Sequence, residues 1–137
     1  MPGFGVGLPA EVRVGQASLG SVAVQSVDGA AIIVLRGEHD LATVPLVEDA
    51  VARARSAGPV VVDLTDAAFI DSSIISVLVR YSRPADSGRA WSQLALAVPP
   101  EGVVRRILLL VSIDQVVPIF NCVSHATAAM RPADERV

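Results

Sequence analysis

The sequence predicts a single α/β domain with a mainly parallel sheet, and three observations support this prediction. Valine-rich apolar segments alternate with segments whose apolar residues recur at helical spacing. A strong hairpin signal, Asp28-Gly29, precedes this alternation. Strands that alternate with helices need crossover connections, which produce parallel strand pairs. We therefore expect four to five strands, an N-terminal hairpin and about four helices.

The first third of the chain predicts an arm, the hairpin and a first helix. Residues 1–19 are rich in glycine and predict a mobile arm, with a small chance of a strand at 11–14. The hairpin strands follow on either side of Asp28-Gly29, the second over residues 31–36. A helix is expected from near Thr43, a candidate N-cap, to the stop at Gly58-Pro59.

The rest of the chain continues the alternation. Residues 60–64 are apolar throughout, as expected for a central strand covered on both faces. Asp71-Ser72-Ser73 then opens a helix with an apolar stripe. The later elements are a polar break at 83–88, strands at 93–98 and 116–120, and helices from 99 to about 111 and from 124 to 130. The domain is thus expected to span residues 20–131, before a charged tail at 132–137.

Composition excludes several classes of function. The 137 residues are 52% hydrophobic but include only three Phe, one Trp and one Tyr, which predicts an aliphatic core. The net charge of −3 gives no electrostatic reason to expect nucleic acid as a partner. All eleven basic residues are arginine, so no lysine can serve a P-loop or a Schiff base. We expect no cofactor.

The sequence also predicts that the protein is cytoplasmic. The first twenty residues show no signal-peptide pattern, and no apolar run approaches the roughly 20 residues that span a bilayer. The single cysteine, Cys122, cannot form an internal disulfide, which suits a reducing compartment.

The turn Asp71-Ser72-Ser73 is the candidate functional site. A helix N-terminus carries unpaired N–H groups and a partial positive charge, so a phosphate is well placed there. The alternative for each serine is a capping hydroxyl. Because Asp71 or Ser72 could cap the helix equally well, Ser73 is left available as a phosphoacceptor, with Ser72 second.

Several of these motifs together resemble the STAS domain, most closely the bacterial anti-sigma factor antagonist group. They are the turn Gly37-Glu38-His39-Asp40, the strand at residues 61–64, the run Phe69-Ile70-Asp71-Ser72-Ser73 and the region 104–120. The resemblance covers roughly residues 20–130. It differs from the family after the two serines, where Ile74 stands in place of the usual glycine.

The resemblance implies a protein-binding switch with no enzymatic activity of its own. In that family the second serine, here Ser73, is phosphorylated by a partner that is both anti-sigma factor and serine kinase. The unphosphorylated form binds this partner and releases the sigma factor, and a metal-dependent serine phosphatase usually resets the switch. The turn aspartate matches Asp40. The implied partner-binding residues are Asp40, Asp71, Ser72, Ser73 and Ile74.

The sequence leaves four alternatives to this switch. A STAS module can act as a constitutive scaffold, in a stress-signalling assembly or a lipid-transport complex. A hydrolase would use Ser73 and His39 with Asp40 or Asp71, but the sequence has no Gly-x-Ser-x-Gly elbow. A zinc site at Cys122 and the nearby histidine lacks two further ligands. A nucleotide contact is possible by resemblance, without a glycine-rich cradle to support it.

Overall fold

The computed structural model describes residues 11–17, 19–82 and 94–130. The strands are β1 Val12–Ala17, β2 Gly20–Val27, β3 Ala30–His39, β4 Val60–Asp63, β5 Ala67–Ile70, β6 Leu94–Ala97 and β7 Ile119–Phe120. The helices are α1 Val44–Ala57, α2 Ser72–Ser82, α3 Val103–Leu110 and α4 Val123–Met130. Single 3₁₀ turns, Leu41–Thr43 and Ile113–Gln115, precede α1 and β7.

One mixed sheet holds all seven strands, in the order β1-β2-β3-β4-β6-β7. The pairs β1–β2 and β2–β3 are antiparallel, while β3–β4, β4–β6 and β6–β7 are parallel. The fifth strand, β5, pairs in parallel with β3 beyond the end of β4. The predicted α/β class, the hairpin and four helices are confirmed. The sheet has more strands than the four to five expected, and it is mixed rather than mainly parallel.

The hairpin between β2 and β3 has the predicted turn. Val27 pairs with Ala30, so only Asp28 and Gly29 lie between the strands. Both have positive φ angles, 50° and 82°, as a type I′ turn requires. This turn matches the right-handed twist of the strands and thereby fixes their register.

The core lies on both faces of the sheet. One cluster takes in side chains of α1, α2 and α3, and alternate β3 residues such as Ile33 and Leu35 point into it. The opposite cluster contains Ile32 and Val34 of β3 together with residues of α4. Alternation along β3 therefore supplies two cores. The predicted central strand, β4, is buried on both sides, as its continuous valines indicated.

Two strands differ from the sequence prediction. β1 lies within the segment predicted as an arm, and it pairs along β2. β5 was not predicted, because the strand is short and half of its residues are exposed. β3 pairs with β4 as far as Val34 and with β5 from Gly37, whose φ is 83°, and the β3–β5 register shifts between Gly37 and Glu38.

The remaining boundaries move by a few residues. The last strand is shorter than the predicted segment 116–120. It contains only Ile119–Phe120, because the 3₁₀ turn Ile113–Gln115 ends at Val116 and the strand begins after it. The first helix begins directly after Thr43 and ends at Ala57, as expected. The polar break at 83–88, the tail at 132–137 and most of the arm lie outside the described residues.

Candidate functional site at the end of β3 and β5

Two turns meet where β3 and β5 end. His39 and Ile70, the last residues of these strands, are paired in the parallel register. The backbone N–H of Asp71 continues this pairing by donating to the carbonyl of His39 at 3.2 Å. The turn that follows each strand therefore lies at the same carboxyl edge of the sheet, as predicted for Asp40 and Ser73. We call this surface the Asp40–Asp71 edge, and it comprises Asp40, Leu41, Phe69, Asp71, Ser72 and Ser73.

Asp71 caps helix α2. Its Oδ1 atom accepts the backbone N–H groups of Ser73 at 3.0 Å and Ile74 at 3.3 Å. The same oxygen accepts the hydroxyl of Ser73 at 2.5 Å. A carboxylate that accepts first-turn N–H groups stabilises a helix start. Asp71 thus serves as the cap, and neither serine hydroxyl takes that role.

The two serines of the turn have different surroundings. Ser72 is exposed, while Ser73 is partly buried and its hydroxyl is fixed by Asp71. Beyond them, Ile75, Ser76, Val79 and Arg80 border a surface groove of about 420 Å³ along the outer face of α2. The Ser73 hydroxyl is therefore the oriented one of the pair, at the head of an accessible helix face.

Asp40 begins the 3₁₀ turn before α1. Its side chain accepts the N–H of Ala42 at 2.9 Å, and its carbonyl accepts the N–H of Thr43 at 3.0 Å. The carboxylate thus initiates a helical turn. Thr43, the predicted cap of α1, makes no side-chain cap bond, because its hydroxyl contacts His39 and the Asp40 carbonyl instead.

The assignment of Ile74 as a partner-binding residue is corrected by its burial. Its side chain is 0% exposed and belongs to the core cluster beneath α1 and α2. At the third position of the helix it points towards the sheet, away from the surface that Ser72 displays. The bulk added in place of a glycine therefore fills the core rather than a docking surface.

Two exposed apolar residues at the edge were not predicted. Leu41, which follows Asp40, is 73% exposed, and Phe69, two residues before Asp71, is 41% exposed. An exposed leucine and phenylalanine beside two acidic turns are typical of protein contact surfaces. Leu41 lies in a turn and Phe69 in a short strand, and neither belongs to an apolar stripe. This placement is the sequence signal that could have identified them as exposed.

The hydrolytic triad considered for this edge is not formed. His39 is fully buried, and its ring nitrogens face the hydroxyl of Thr43 at 2.9 Å and the carbonyl of Arg36 at 3.1 Å. The Ser73 hydroxyl donates to Asp71 instead. Burial lowers the pKa of His39 below its ordinary value, although backbone contacts and the Asp40 carboxylate oppose this effect. His39 is thus a buried structural group behind the edge, and its pKa is lowered.

Cys122 lies elsewhere, directly before α4. Its sulfur is 3.3 Å from the hydroxyl of Ser124, and this contact, with the N–H of His125, lowers the pKa of the thiol. In the part of the chain that the structure describes, no three His, Cys, Asp or Glu side chains cluster as metal ligands would. Within the same residues, no helix has the length and apolar character needed to cross a bilayer.

Several solved structures share this architecture. An anti-sigma factor antagonist from Mycobacterium paratuberculosis superposes with a TM-score of 0.70 at 22% identity, covering 82% of this chain and 95% of its own. A putative anti-sigma factor antagonist from Thermotoga maritima gives a TM-score of 0.64 at 23% identity, over 80% of this chain and 93% of its own. The unphosphorylated form of the anti-sigma factor antagonist SpoIIAA gives 0.55 at 14% identity, over 77% and 93%.

The class of protein defined by this fold is a small α/β domain with a mixed sheet. The STAS domain profile matches residues 21–126, which is most of the chain. The protein therefore belongs to the STAS domain family, as the sequence motifs indicated. A comparison with curated proteins finds no significant match.

Proposed function

We propose that this protein is an anti-sigma factor antagonist that phosphorylation of Ser73 switches off. In its unphosphorylated form it binds an anti-sigma factor that is also a serine kinase, and this binding releases the sigma factor. The observation that carries the proposal is the Ser73 hydroxyl, held by Asp71 at the start of α2 beside the Asp40 turn. The structural neighbours named as anti-sigma factor antagonists support it.

The hydrogen bonds of Asp71 explain how a phosphate would change the edge. Phosphorylation replaces the hydroxyl proton of Ser73 with about −1.5 to −2 charges. The Asp71 carboxylate lies within hydrogen-bond distance and already occupies the N–H groups of Ser73 and Ile74. Phosphate and carboxylate therefore compete for the same helix N–H groups and repel each other. A partner fitted to the neutral hydroxyl meets a rearranged and more negative surface.

The exposed apolar residues of the edge supply the attraction in the unphosphorylated state. Leu41 and Phe69 flank the acidic turns, and burying such side chains against a partner contributes about 25 cal/mol per Å² of apolar area. Added charge nearby raises the cost of removing water from this surface. The same contact area can thus favour binding before phosphorylation and oppose it afterwards.

The remaining parts of the proposal follow the family. A metal-dependent serine phosphatase removes the phosphate and restores binding. The protein has no catalytic role, acts in the cytoplasm and makes no direct contact with nucleic acid, which its net charge of −3 supports. Its binding residues are Asp40, Asp71, Ser72 and Ser73.

Phosphate incorporation tests the switch directly. The full chain is incubated with ATP and the anti-sigma factor kinase from its own genome that binds it in pull-down, and its intact mass is measured. We expect one phosphate on the wild-type chain and none on Ser73→Ala. Ser76→Ala is the matched control, because Ser76 is an exposed hydroxyl on the same helix. Undiminished incorporation in Ser73→Ala would falsify the assignment.

A constitutive scaffold is the second candidate, and an exposed apolar surface at the end of α3 favours it. Four exposed residues lie around the end of α3: Leu109, Leu110, Val111 and Val116. Leu110 is 78% exposed. Pull-down followed by mass spectrometry separates the two candidates, since a sigma-regulating kinase supports the switch and stress-assembly or transporter subunits support the scaffold.

A further inference from the structure

His39 is a buried titratable side chain that the proposed switch does not use. It is 0% exposed, and it forms hydrogen bonds with three segments behind the Asp40–Asp71 edge. Its ring contacts Thr43 in the turn that Asp40 begins, and the carbonyl of Arg36 in β3. Its own carbonyl accepts the N–H of Asp71, the cap of α2. One residue thus connects both turns of the edge.

The hydrogen bonds of the ring restrict where its protons can lie. A carbonyl can only accept, so the Nε2 atom facing Arg36 carries a hydrogen. In the neutral ring Nδ1 is then bare, and it accepts the Thr43 hydroxyl at 2.9 Å. In the protonated ring Nδ1 donates instead, and the Thr43 hydroxyl turns to the Asp40 carbonyl at 3.1 Å. The hydroxyl of Thr43 therefore changes partner with the charge of His39.

The surroundings of the ring resist that charge. Asp40 is the carboxylate whose field favours the imidazolium, and it lies in the turn itself. Arg36 and Glu38 flank His39 on β3, and Asp71 follows the paired strand β5 with its Oδ1 directed to α2. From β2, the backbone of Gly20 packs so closely that a Cβ there would lie 3.0 Å from the ring. The ring therefore lies in a fully buried site, where desolvation disfavours the cation.

We propose that His39 is a positioning residue that makes the Asp40–Asp71 edge sensitive to pH. The neutral ring fixes the Asp40 turn against β3, and the backbone carbonyl of the same residue holds the N–H of Asp71. Protonation turns the hydroxyl hydrogen of Thr43 to the Asp40 carbonyl, which already lies 3.1 Å from its oxygen. It also places a cation in a fully buried site, and the cost of that burial favours exposure of the ring to water. The consequence for partner binding rests on the proposed function: acidification weakens docking without any phosphate. The rearrangement itself is a property of the isolated chain.

NMR titration of the full, isotope-labelled chain tests this inference without a partner. Imidazole and backbone amide signals are followed from about pH 8 to about pH 5, the range in which histidine titrates. We expect the amides of Ala42, Thr43 and Asp71 to shift with the same midpoint as the His39 ring, below about 6.5. His125→Gln is the matched control, because it removes the other histidine and leaves these shifts unchanged.

Two variants decide the outcome. His39→Leu abolishes the amide shifts if it remains folded by circular dichroism. Thr43→Val removes the acceptor that the protonated Nδ1 needs, so the His39 midpoint falls further. The inference is overturned if the three amides ignore the titration of His39, if folded His39→Leu keeps the shifts, or if Thr43→Val leaves the midpoint unchanged. None of these results bears on phosphate incorporation at Ser73, which is measured separately.

Discussion

The hydroxyl of Ser73 donates to the Asp71 carboxylate at 2.5 Å, and the same oxygen accepts the N–H of Ser73. A residue that caps a helix therefore also orients the hydroxyl proposed to receive a phosphate. Because Asp71 has both roles, its loss is expected to lower both the stability of the protein and the phosphorylation of Ser73. The two effects can be measured separately.

Replacing Asp71 by alanine is expected to lower the free energy of unfolding by about 1–2 kcal/mol, since the helix start loses its acceptor. Asp71→Asn keeps an acceptor and loses less. Urea denaturation measures both. Phosphate incorporation at Ser73 falls in Asp71→Ala, because its hydroxyl is no longer oriented.

Asp63 provides the control for that experiment. Its Oδ1 accepts the N–H and the hydroxyl of Thr65 at 2.9 and 2.6 Å, in the same arrangement but at the end of β4. Asp63→Ala should lower stability by about 0.5–1.5 kcal/mol and leave phosphorylation unchanged. Equal phosphorylation rates in both alanine variants would contradict an orienting role for Asp71.

Ile74 is expected to contribute to stability and not to partner binding. Ile74→Val should lower the free energy of unfolding by about 0.5–1.5 kcal/mol, because it removes a methylene from a closed core. Partner affinity, measured by calorimetry, stays at the wild-type value. Ile75→Val is the neighbouring control, at a partly buried position. A loss of affinity without a loss of stability would return Ile74 to the interface.

Much of this edge was predictable from the sequence, and the reason is the sheet-edge rule for parallel strands. Asp40 and Ser73 were expected to lie close together if both turns occupied the carboxyl edge of a parallel sheet, and the structure shows the two turns joined by the bond from the Asp71 N–H to the His39 carbonyl. The strands β2, β3 and β4 were predicted because long valine-rich segments and an Asp-Gly turn are strong local signals.

The parts that escaped prediction depend on tertiary contacts. The strand that makes the two turns adjacent, β5, is held by its pairing with β3 from Gly37 to His39, and no local pattern in residues 67–70 carries that information. The direction of Ile74 depends on where α2 begins and which face meets the sheet. The contacts of His39 with Thr43 and the Arg36 carbonyl likewise exist only in the folded turn.

Negative charge at position 73 is expected to weaken partner binding without phosphorylation. Ser73→Asp places a carboxylate beside Asp71, and we expect an affinity loss of at least about tenfold, or about 1.4 kcal/mol. Added salt recovers part of the loss, because the repulsion is partly exposed to solvent. Ser73→Asn is the matched control, with the same shape and no charge. If Asp and Asn weaken binding equally, size rather than charge decides docking.

The pH dependence of stability is expected to have an acidic component from Glu11, the residue that precedes β1. Its carboxylate accepts both terminal nitrogens of Arg36 at 2.6 and 2.7 Å and the amide of Gln25 at 2.8 Å. The Arg36 contact, followed by that of Gln25, lowers the pKa of Glu11 from 4.5 to about 2. A lowered carboxylate pKa contributes stability above pH 4.5 that is lost as the pH falls from 4.5 towards about 2.

His39 adds a second window at higher pH, and the two can be separated by mutation. Because burial lowers the pKa of His39 in the folded state, the unfolded chain binds a proton first, and stability falls as the pH drops below about 6.5. Urea midpoints are measured across both windows. Glu11→Gln should abolish the pH dependence of stability in the acidic window alone. His39→Leu should abolish it in the higher window alone. Asp49→Asn, which removes an exposed ion pair within α1, should leave both in place. An unchanged acidic window in Glu11→Gln would show that the contact between Glu11 and β3 does not persist in solution.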